Sequence, residues 1–304
     1  MTGGAGMIGA TVVRALLARG DEVVVLDSGA AAGFTYLAGT DAKLVEADIR
    51  DRGALESATA GCAAIVHLAA QASVPNSIAD PINDLQINVD ASVSLLEVAR
   101  EAGVGRYVFA SSNAVIGGHE PPAHEELVPF PVSPYGAAKA AIEAYLRAYH
   151  EAFGVDTVSL RFANAYGPWS AHKSAVVAAF VKKYLSGGPL RINGTGQQTR
   201  DFVHVDDVAA VVLACLDAPA DVIANQILQV GTGAETSLLE LADVIFDAGG
   251  GSVAVEHGPE SPGDVARNVS DITKARRLLG YEPRVPLRDG IADTLQWFRD
   301  NWRP

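Results

Sequence analysis

The sequence predicts an α/β fold, a doubly wound parallel sheet continued by a smaller, interrupted α/β lobe that takes the substrate. Three observations carry this reading. Short β-branched runs alternate with longer helical patterns through the first half, the rhythm of parallel strands joined by helices. Glycines at 3, 6 and 9 open the first helical run, and the strand after it ends in an acid, Asp27. After Phe162 the rhythm breaks into short elements and polar loops such as Asn193 to Thr199 and Gly249 to Asp264, with frequent Gly and Pro.

Taken in order, a helix is expected over Ile8 to Arg19, then a strand over the valine-rich Glu22 to Asp27 and another over Lys43 to Glu46. A helix at Arg52 to Thr59 leads to a strand at Ala63 to His67, and a long helix at Pro81 to Ala102 to a strand at Arg106 to Ser111. The helix Pro134 to Phe153 opens on Ser133, a good N-cap, with Pro134 at the first helical position, and precedes a strand at Thr157 to Arg161. Only Met1 and Thr2 stand before the glycines, where a βαβ unit needs a strand in mid-sheet. The expectation is a first strand truncated here, with the natural protein extending roughly 5 to 10 residues upstream, one strand length. An in-frame stop directly before Met1 would exclude that.

A chain of 304 residues with 49% hydrophobic content is able to bury a large core. Its formal charge of −13 argues against nucleic acid or an anionic membrane surface as partner, so any anionic ligand must be held by local groups. Two distant cysteines, Cys62 and Cys215, show no metal-ligand spacing and suit a reducing cytoplasmic setting. The apolar stretch Val208 to Leu216 is too short to span a bilayer, and no leader pattern is evident; a soluble protein is expected.

Glycines placed before a helix let a phosphate approach the backbone, where the first N–H groups and the helix dipole receive it. Tight turns use the same residues, so context decides. Asp27 comes 18 residues after Gly9, where an acid would bind both hydroxyls of an adenosine ribose. From Ser28 to Ala42 there is no Lys or Arg to receive a 2′-phosphate, which favours NAD over NADP.

Tyr135 and Lys139 stand four residues apart and share a helix face. In the first turn, the positive end of the dipole and the nearby ammonium would pull the phenol down from its ordinary pKa of about 10 toward the range of a general base. A partly buried tyrosine and a solvated lysine on an amphipathic helix would read the same way in isolation. Ser112, at the end of its strand, lies at the carboxyl edge where open α/β sheets bind ligands; a locally satisfied hydroxyl is the alternative.

Ordered motifs run almost end to end. They are Thr2-Gly3-Gly4-Ala5-Gly6-Met7-Ile8-Gly9, Asp48-Ile49-Arg50-Asp51, His67-Leu68-Ala69-Ala70-Gln71, Ala110-Ser111-Ser112, Ser133-Pro134-Tyr135 with Lys139, Arg161-Phe162-Ala163-Asn164-Ala165-Tyr166-Gly167-Pro168, and Thr199-Arg200-Asp201-Phe202-Val203-His204-Val205-Asp206-Asp207. Over them the chain resembles the NAD-dependent epimerase/dehydratase family of the extended short-chain dehydrogenases/reductases, and within it the UDP-glucose 4-epimerase-like enzymes. The resemblance implies a Rossmann-like NAD-binding domain over residues 1–162 with 202–231, and a nucleotide-sugar-binding lobe over 163–201 and 232–304. It implies that Ser112 hydrogen-bonds the sugar's C4 oxygen, Tyr135 removes its proton, and Lys139 holds the nicotinamide ribose and favours tyrosinate. Gly3, Gly6, Met7, Ile8 and Gly9 would receive the cofactor phosphates, Asp48 and Ile49 the adenine, and Ala69 and Ala70 the cofactor backbone, with Asn88 ordering the site.

In the second lobe the resemblance gives Asn164 and Arg200 to the nucleotide diphosphate, with Arg267 a further candidate. Ser261 stands where many epimerases carry an Arg before Pro262-Gly263-Asp264, which leaves the second phosphate contact open. The segment Trp169 to Ser174 would border the sugar and diphosphate, and Lys173 would face a phosphate, a C6 carboxylate or solvent. Asn268 matches a position where a bulkier Tyr limits room at C2, so an N-acetyl group would fit. A homodimer through the helices at 81–102 and 134–153 is also implied.

The residues directly after Ser112 narrow the reaction. Dehydratases place Asp-Glu there and decarboxylating relatives a Glu; here stand Asn113-Ala114, neither of which exchanges a proton. The expected activity is 4-epimerisation of a nucleotide sugar, a UDP-hexose in the first place, through a 4-keto sugar with NAD retained. The rivals are a 4,6-dehydratase or 4-keto-sugar reductase of the same fold and, from another class, a non-enzymatic NAD-binding regulator.

Overall fold

The computed structural model describes residues 1–259 and 265–303. From the N-terminus, α1 (Met7–Arg19), β1 (Val24–Asp27) and β2 (Lys43–Glu46) are followed by α2 (Arg52–Thr59) and β3 (Ala64–His67). Next come α3 (Val74–Ala79), α4 (Pro81–Leu85) and α5 (Ala91–Glu101), with a π turn at Gln86–Asp90 between the last two, and then β4 (Arg106–Ser112). The site-forming α6 (Pro134–Phe153) and β5 (Thr157–Phe162) lead into β6 (Asn164–Tyr166), α7 (Val176–Leu185), β7 (Leu190–Asn193), β8 (Thr199–Arg200) and β9 (Phe202–His204). The chain continues with α8 (Val205–Asp217), α9 (Ala220–Ile223), β10 (Gln226–Val230), β11 (Thr236–Ser237), α10 (Leu238–Gly249), β12 (Val255–Gly258), α11 (Thr273–Leu279) and α12 (Leu287–Asn301).

The parallel sheet forms as expected. Strands β3, β4, β5 and β10 pair in that order, and β1 pairs with β2, all parallel. Thr2 joins the two groups by parallel bridges to Leu26 and His67. Its N–H donates to Val66 O at 3.0 Å, and Gly3 N–H donates to Leu26 O at 3.0 Å. Met1 to Gly3 therefore occupy the mid-sheet place of the strand expected before the glycines. The Met1 amine lies buried against Val24 O at 2.7 Å, and burial lowers its pKa to about 6.

Both faces of the sheet are covered. Alternate strand residues such as Val25, Val66, Val108 and Leu160 pack on α1 and α8, while Leu26, Ile65, Tyr107 and Phe109 pack under α5 and α6. Each fully buried aliphatic chain contributes about 1.5–3 kcal/mol relative to exposure. A third cluster, including Phe180, Ile192, Phe202, Ile245, Leu295 and Phe298, binds α7, α10 and α12 around the β7–β12 pair. No helix among the described residues is long and apolar enough to cross a membrane.

Most expected elements stand within two residues of their places. The long helix at 81–102 is the exception. It is divided by the π turn, which swings buried Asn88 inward. Such turns leave little trace in hydrophobic spacing, because one inserted residue shifts the pattern only locally. Helix α3 was not anticipated; it is six residues long, capped by the Ser73 side chain, and Val74 and Ile78 on it remain exposed.

Candidate active site

The glycine turn is shaped by close approach. Gly3 adopts φ +70°, and a Cβ there would lie 2.5 Å from Ala69 N. One at Gly9 would lie 2.1 Å from Gly3 O, so the turn folds against α1 only with glycine at both places. Gly6 caps α1 in an extended conformation with no side-chain cap and no acid in the first turn, which leaves the helix end as a cradle for an anion. Asp27 is held beside it by the N–H groups of Ala5 (3.0 Å) and Gly29 (2.9 Å), with further lone pairs available for ribose hydroxyls. Ala69 and Ala70 come after β3 on the same rim, and Ile49 is buried nearby. Asp48 is turned to Arg50, whose guanidinium donates to it at 2.9 and 2.6 Å and holds its carboxyl below the usual range. These residues, with Gly6, Met7 and Ile8, fit a dinucleotide diphosphate and adenosine.

Ser112, Tyr135 and Lys139 converge at the carboxyl end of β4. A Cβ at Gly136 would lie 2.4 Å from Ala114 O, so glycine there lets the first turn of α6 press onto the residues after Ser112. The Ser133 side chain accepts from Gly136 N–H at 3.1 Å, and Pro134 stands at the helix start as the sequence implied. Ser112 Oγ accepts from Ala114 N–H at 3.2 Å, which commits a lone pair and leaves its O–H to donate. The local hydrogen bond is therefore present, and the hydroxyl keeps a donor for a further partner.

Lys139 is 3% exposed, and its Nζ donates to Ala110 O at 2.7 Å. The ammonium lies 4.6 Å from the Phe109 ring centroid and 5.8 Å from that of Tyr135. Burial brings its pKa down to about 8, against Asp84 and Glu143, which pull it up. The expected depression of the Tyr135 phenol is corrected. Burial raises it to about 12, with hydrogen bonding to Ser112 pulling down and Asp84 pushing further up. Desolvation of the phenolate outweighs the helix end, because the charged form loses water that the fixed dipole only partly replaces.

Asn88 is tied to the segment after β3 and to α4. Its side chain accepts from Gln71 N–H at 2.9 Å and donates to Gln71 O and to Asp84 Oδ1, each at 2.9 Å. Gln71 Nε2 donates to the same Asp84 oxygen at 2.8 Å. On its other side Asn88 O accepts from Ser92 Oγ at 2.8 Å, which in turn contacts His67 Nε2 at 2.8 Å. His67 Nδ1 lies 2.7 Å from Thr2 Oγ1. If Ser92 gives its proton to Asn88 O, the ring carries its hydrogen on Nε2 and Thr2 donates to Nδ1. Sequence reasoning missed Asp84 and gave Gln71 no role; the available signal was an acid one helical turn before Asn88.

On the opposite wall Asn164 stands at the start of β6, its N–H donating to Asp201 O at 2.9 Å. Arg200 is adjacent, with Nη1 donating to Thr199 O and Val265 O, each at 2.7 Å. Asp201, fully buried, accepts from Thr232, Gly233 and Ser270 and fixes this wall. Asn268 is brought to Asn113, whose Nδ2 donates to Asn268 Oδ1 at 3.2 Å and to Ser270 Oγ at 2.8 Å. Arg267 is instead paired with Glu235, its side chain 57% exposed. Ser261 and Pro262-Gly263-Asp264 lie outside the described residues.

The Trp169–Ser174 segment differs from expectation in part. Trp169 and His172 pack on Tyr36, centroids 5.6 and 5.7 Å away, on the β1 side of the sheet edge. Arg14 stacks over Trp169 at 4.7 Å. Burial lowers His172 to about 4, and Lys173 is lowered by the same cause. These rings are committed to a cluster beside the dinucleotide cradle.

Fold and candidate site together are those of a dinucleotide-binding α/β protein with Ser112, Tyr135 and Lys139 gathered at the carboxyl edge of the sheet. Residues 1–231 match the model of the NAD dependent epimerase/dehydratase family, and the chain belongs to that family. It is 42% identical to a UDP-glucose 4-epimerase of Mycolicibacterium smegmatis, over 99% of this chain and 98% of the relative. Among solved structures, UDP-glucose 4-epimerase of Thermotoga maritima with UDP-glucose superposes with TM-score 0.93 at 34% identity, covering 99% of this chain and 98% of that one. The dTDP-glucose 4,6-dehydratase DesIV of Streptomyces venezuelae, with NAD bound, gives TM-score 0.91 at 38% identity over 99% and 96%.

Proposed function

We propose that this chain is a nucleotide-sugar 4-epimerase, acting on a UDP-hexose through a 4-keto sugar with NAD retained between turnovers. The observation that carries the choice is Asn113. Both epimerases and dehydratases are similar to this chain, and by the family resemblance the residue after Ser112 is where the two activities part. Asn113 spends its amide on Asn268 and Ser270. With no carboxyl there, elimination of water from the 4-keto sugar lacks its acid and base, and return of the hydride to the other face remains.

Residues 1–162 with 202–231 would bind NAD and residues 163–201 with 232–304 the nucleotide sugar. Gly3, Gly6, Met7, Ile8, Gly9 and Asp27 hold the cofactor diphosphate and adenosine, with Asp48, Ile49, Ala69, Ala70 and Asn88 around them. NAD, when bound, supplies the acceptor and donor of a hydride at C4 and, oxidised, a positive charge that favours tyrosinate. Ser112 donates to the C4 oxygen, Tyr135 removes and returns its proton, and Lys139 binds the nicotinamide ribose with the donors not given to Ala110. Asn164, Arg200, Lys173 and Arg267 are the candidates for the diphosphate side, and Asn268 borders C2. A small side chain at Asn268 supports turnover of N-acetylhexosamine substrates as well.

A cytoplasmic homodimer is proposed through the α4–α5 and α6 faces, supported by exposed Ile82 and Leu85 on α4 and Tyr145 on α6. The test is direct. Purified protein incubated with UDP- and dTDP-hexoses should yield C4 epimers with no net NADH. Release of a 4-keto-6-deoxy sugar would instead favour the dehydratase reading that the DesIV likeness keeps alive.

A further inference from the structure

We propose that His67 is a positioning residue for the cofactor: its ring is the joint through which the glycine turn and the π turn hold the rim after β3 in place for the dinucleotide. The proposal rests on the NAD dependence of the family and not on which sugar is turned over.

The rim is His67-Leu68-Ala69-Ala70-Gln71, and it is held at both ends. At its start Thr2 Oγ1 lies 2.7 Å from His67 Nδ1 and accepts from Ala69 N–H at 3.4 Å, while Leu68 N–H donates to Thr2 O at 3.1 Å. The residue before Gly3 is thus bonded to three consecutive rim residues. At the far end Asn88 brackets the Gln71 backbone, accepting from its N–H and donating to its O, each at 2.9 Å. His67 Nε2 joins the two ends: it lies 2.8 Å from Ser92 Oγ, which donates to Asn88 O at 2.8 Å. Thr2, His67, Asn88 and Ser92 are all buried.

Such a joint needs an acceptor and a donor on different edges of one flat group. The Ser92 hydrogen goes to Asn88 O, so Ser92 accepts from Nε2–H and Nδ1 accepts from the Thr2 hydroxyl, which a neutral imidazole permits. Burial, which lowers the ring's pKa to about 3, keeps it neutral. Tyr107 and Phe109 pack on the ring with centroids 6.0 and 5.5 Å away, and Phe109 is the ring that the Lys139 ammonium approaches at 4.6 Å. Any break in the chain leaves a buried polar group unsatisfied. A small shift of the rim would be felt at the cradle, because a Cβ on Gly3 would lie only 2.5 Å from Ala69 N.

The test is release of radiolabelled NAD from the holoenzyme, chased with excess unlabelled NAD. His67→Phe keeps a packed ring and removes both polar edges, and label should leave at least about tenfold faster than from wild type, the worth of one or two buried hydrogen bonds. Asn88→Ala should quicken release as well. Because both residues act through one chain, the double variant should fall short of the product of the two effects. A His67→Phe protein with lowered Tm and unchanged release would be a merely structural result and overturn the proposal, as would effects that multiply fully in the double variant. Should His67→Phe fail to fold, Ser92→Ala removes the Nε2 partner alone: faster release supports the proposal, and unchanged release overturns it. Release is measured without sugar, so absence of epimerisation by the wild type would count against the functional reading and leave this result standing.

Discussion

At Tyr135 the phenol rests on opposed effects, burial raising it to about 12 and hydrogen bonding to Ser112 pulling it down. Phenylalanine keeps the ring and removes the proton acceptor, so Tyr135→Phe should lower turnover by at least about 10²–10⁴-fold, the usual worth of a general base. NAD binding, tracked as retention of cofactor through gel filtration, should persist; unchanged turnover would remove Tyr135 from the mechanism. The pair Tyr135 and Lys139 was legible from spacing because i and i+4 share a helix face. The sign of the phenol's shift was not, since burial depends on what packs over the ring. A second residue gives a pH prediction. His67 is buried and its pKa falls from 6.5 to about 3. The unfolded chain binds a proton there that the folded protein refuses, so stability should fall as pH drops through about 6.5 toward 3. Chemical denaturation across that range should show the slope, and His67→Gln should flatten it.

Among the elements, α6 matters most for the site, and its first turn was readable to the residue from Ser133 and Pro134. What the sequence did not disclose is how near α6 comes to the turn after β4, a contact that only Gly136 permits. Gly136→Ala places a methyl against Ala114 O, and overpacking of this kind costs about 1–3 kcal/mol. Shifting Tyr135 away from Ser112 by even about 1 Å would reduce turnover on the order of 10²-fold. A normal rate with only a lowered Tm would show that the approach is structural alone. The π turn at Gln86–Asp90 was illegible for a different reason: its purpose, turning Asn88 onto Gln71 and Asp84, is met by polar contacts to distant segments. The aromatic cluster of Tyr36, Trp169 and Trp297 was hidden in the same way, joining rings far apart in the chain.

Across the whole molecule, the parallel sheet was legible because buried strands and amphipathic helices leave distinct periods, and the family motifs mark the sheet's carboxyl edge. The second lobe was legible only as a change of rhythm. Its wall is organised by Asp201, whose partners Thr232, Gly233 and Ser270 are about 30 to 70 residues away. The most direct measurement of the central claim is NMR analysis of the products when the purified protein meets UDP-glucose, UDP-galactose and their N-acetylated counterparts, with Tyr135→Phe alongside. The account predicts inversion at C4 by the wild type, no net reduction of NAD, and no conversion by the variant. A released keto sugar, or equal conversion by the variant, would contradict it.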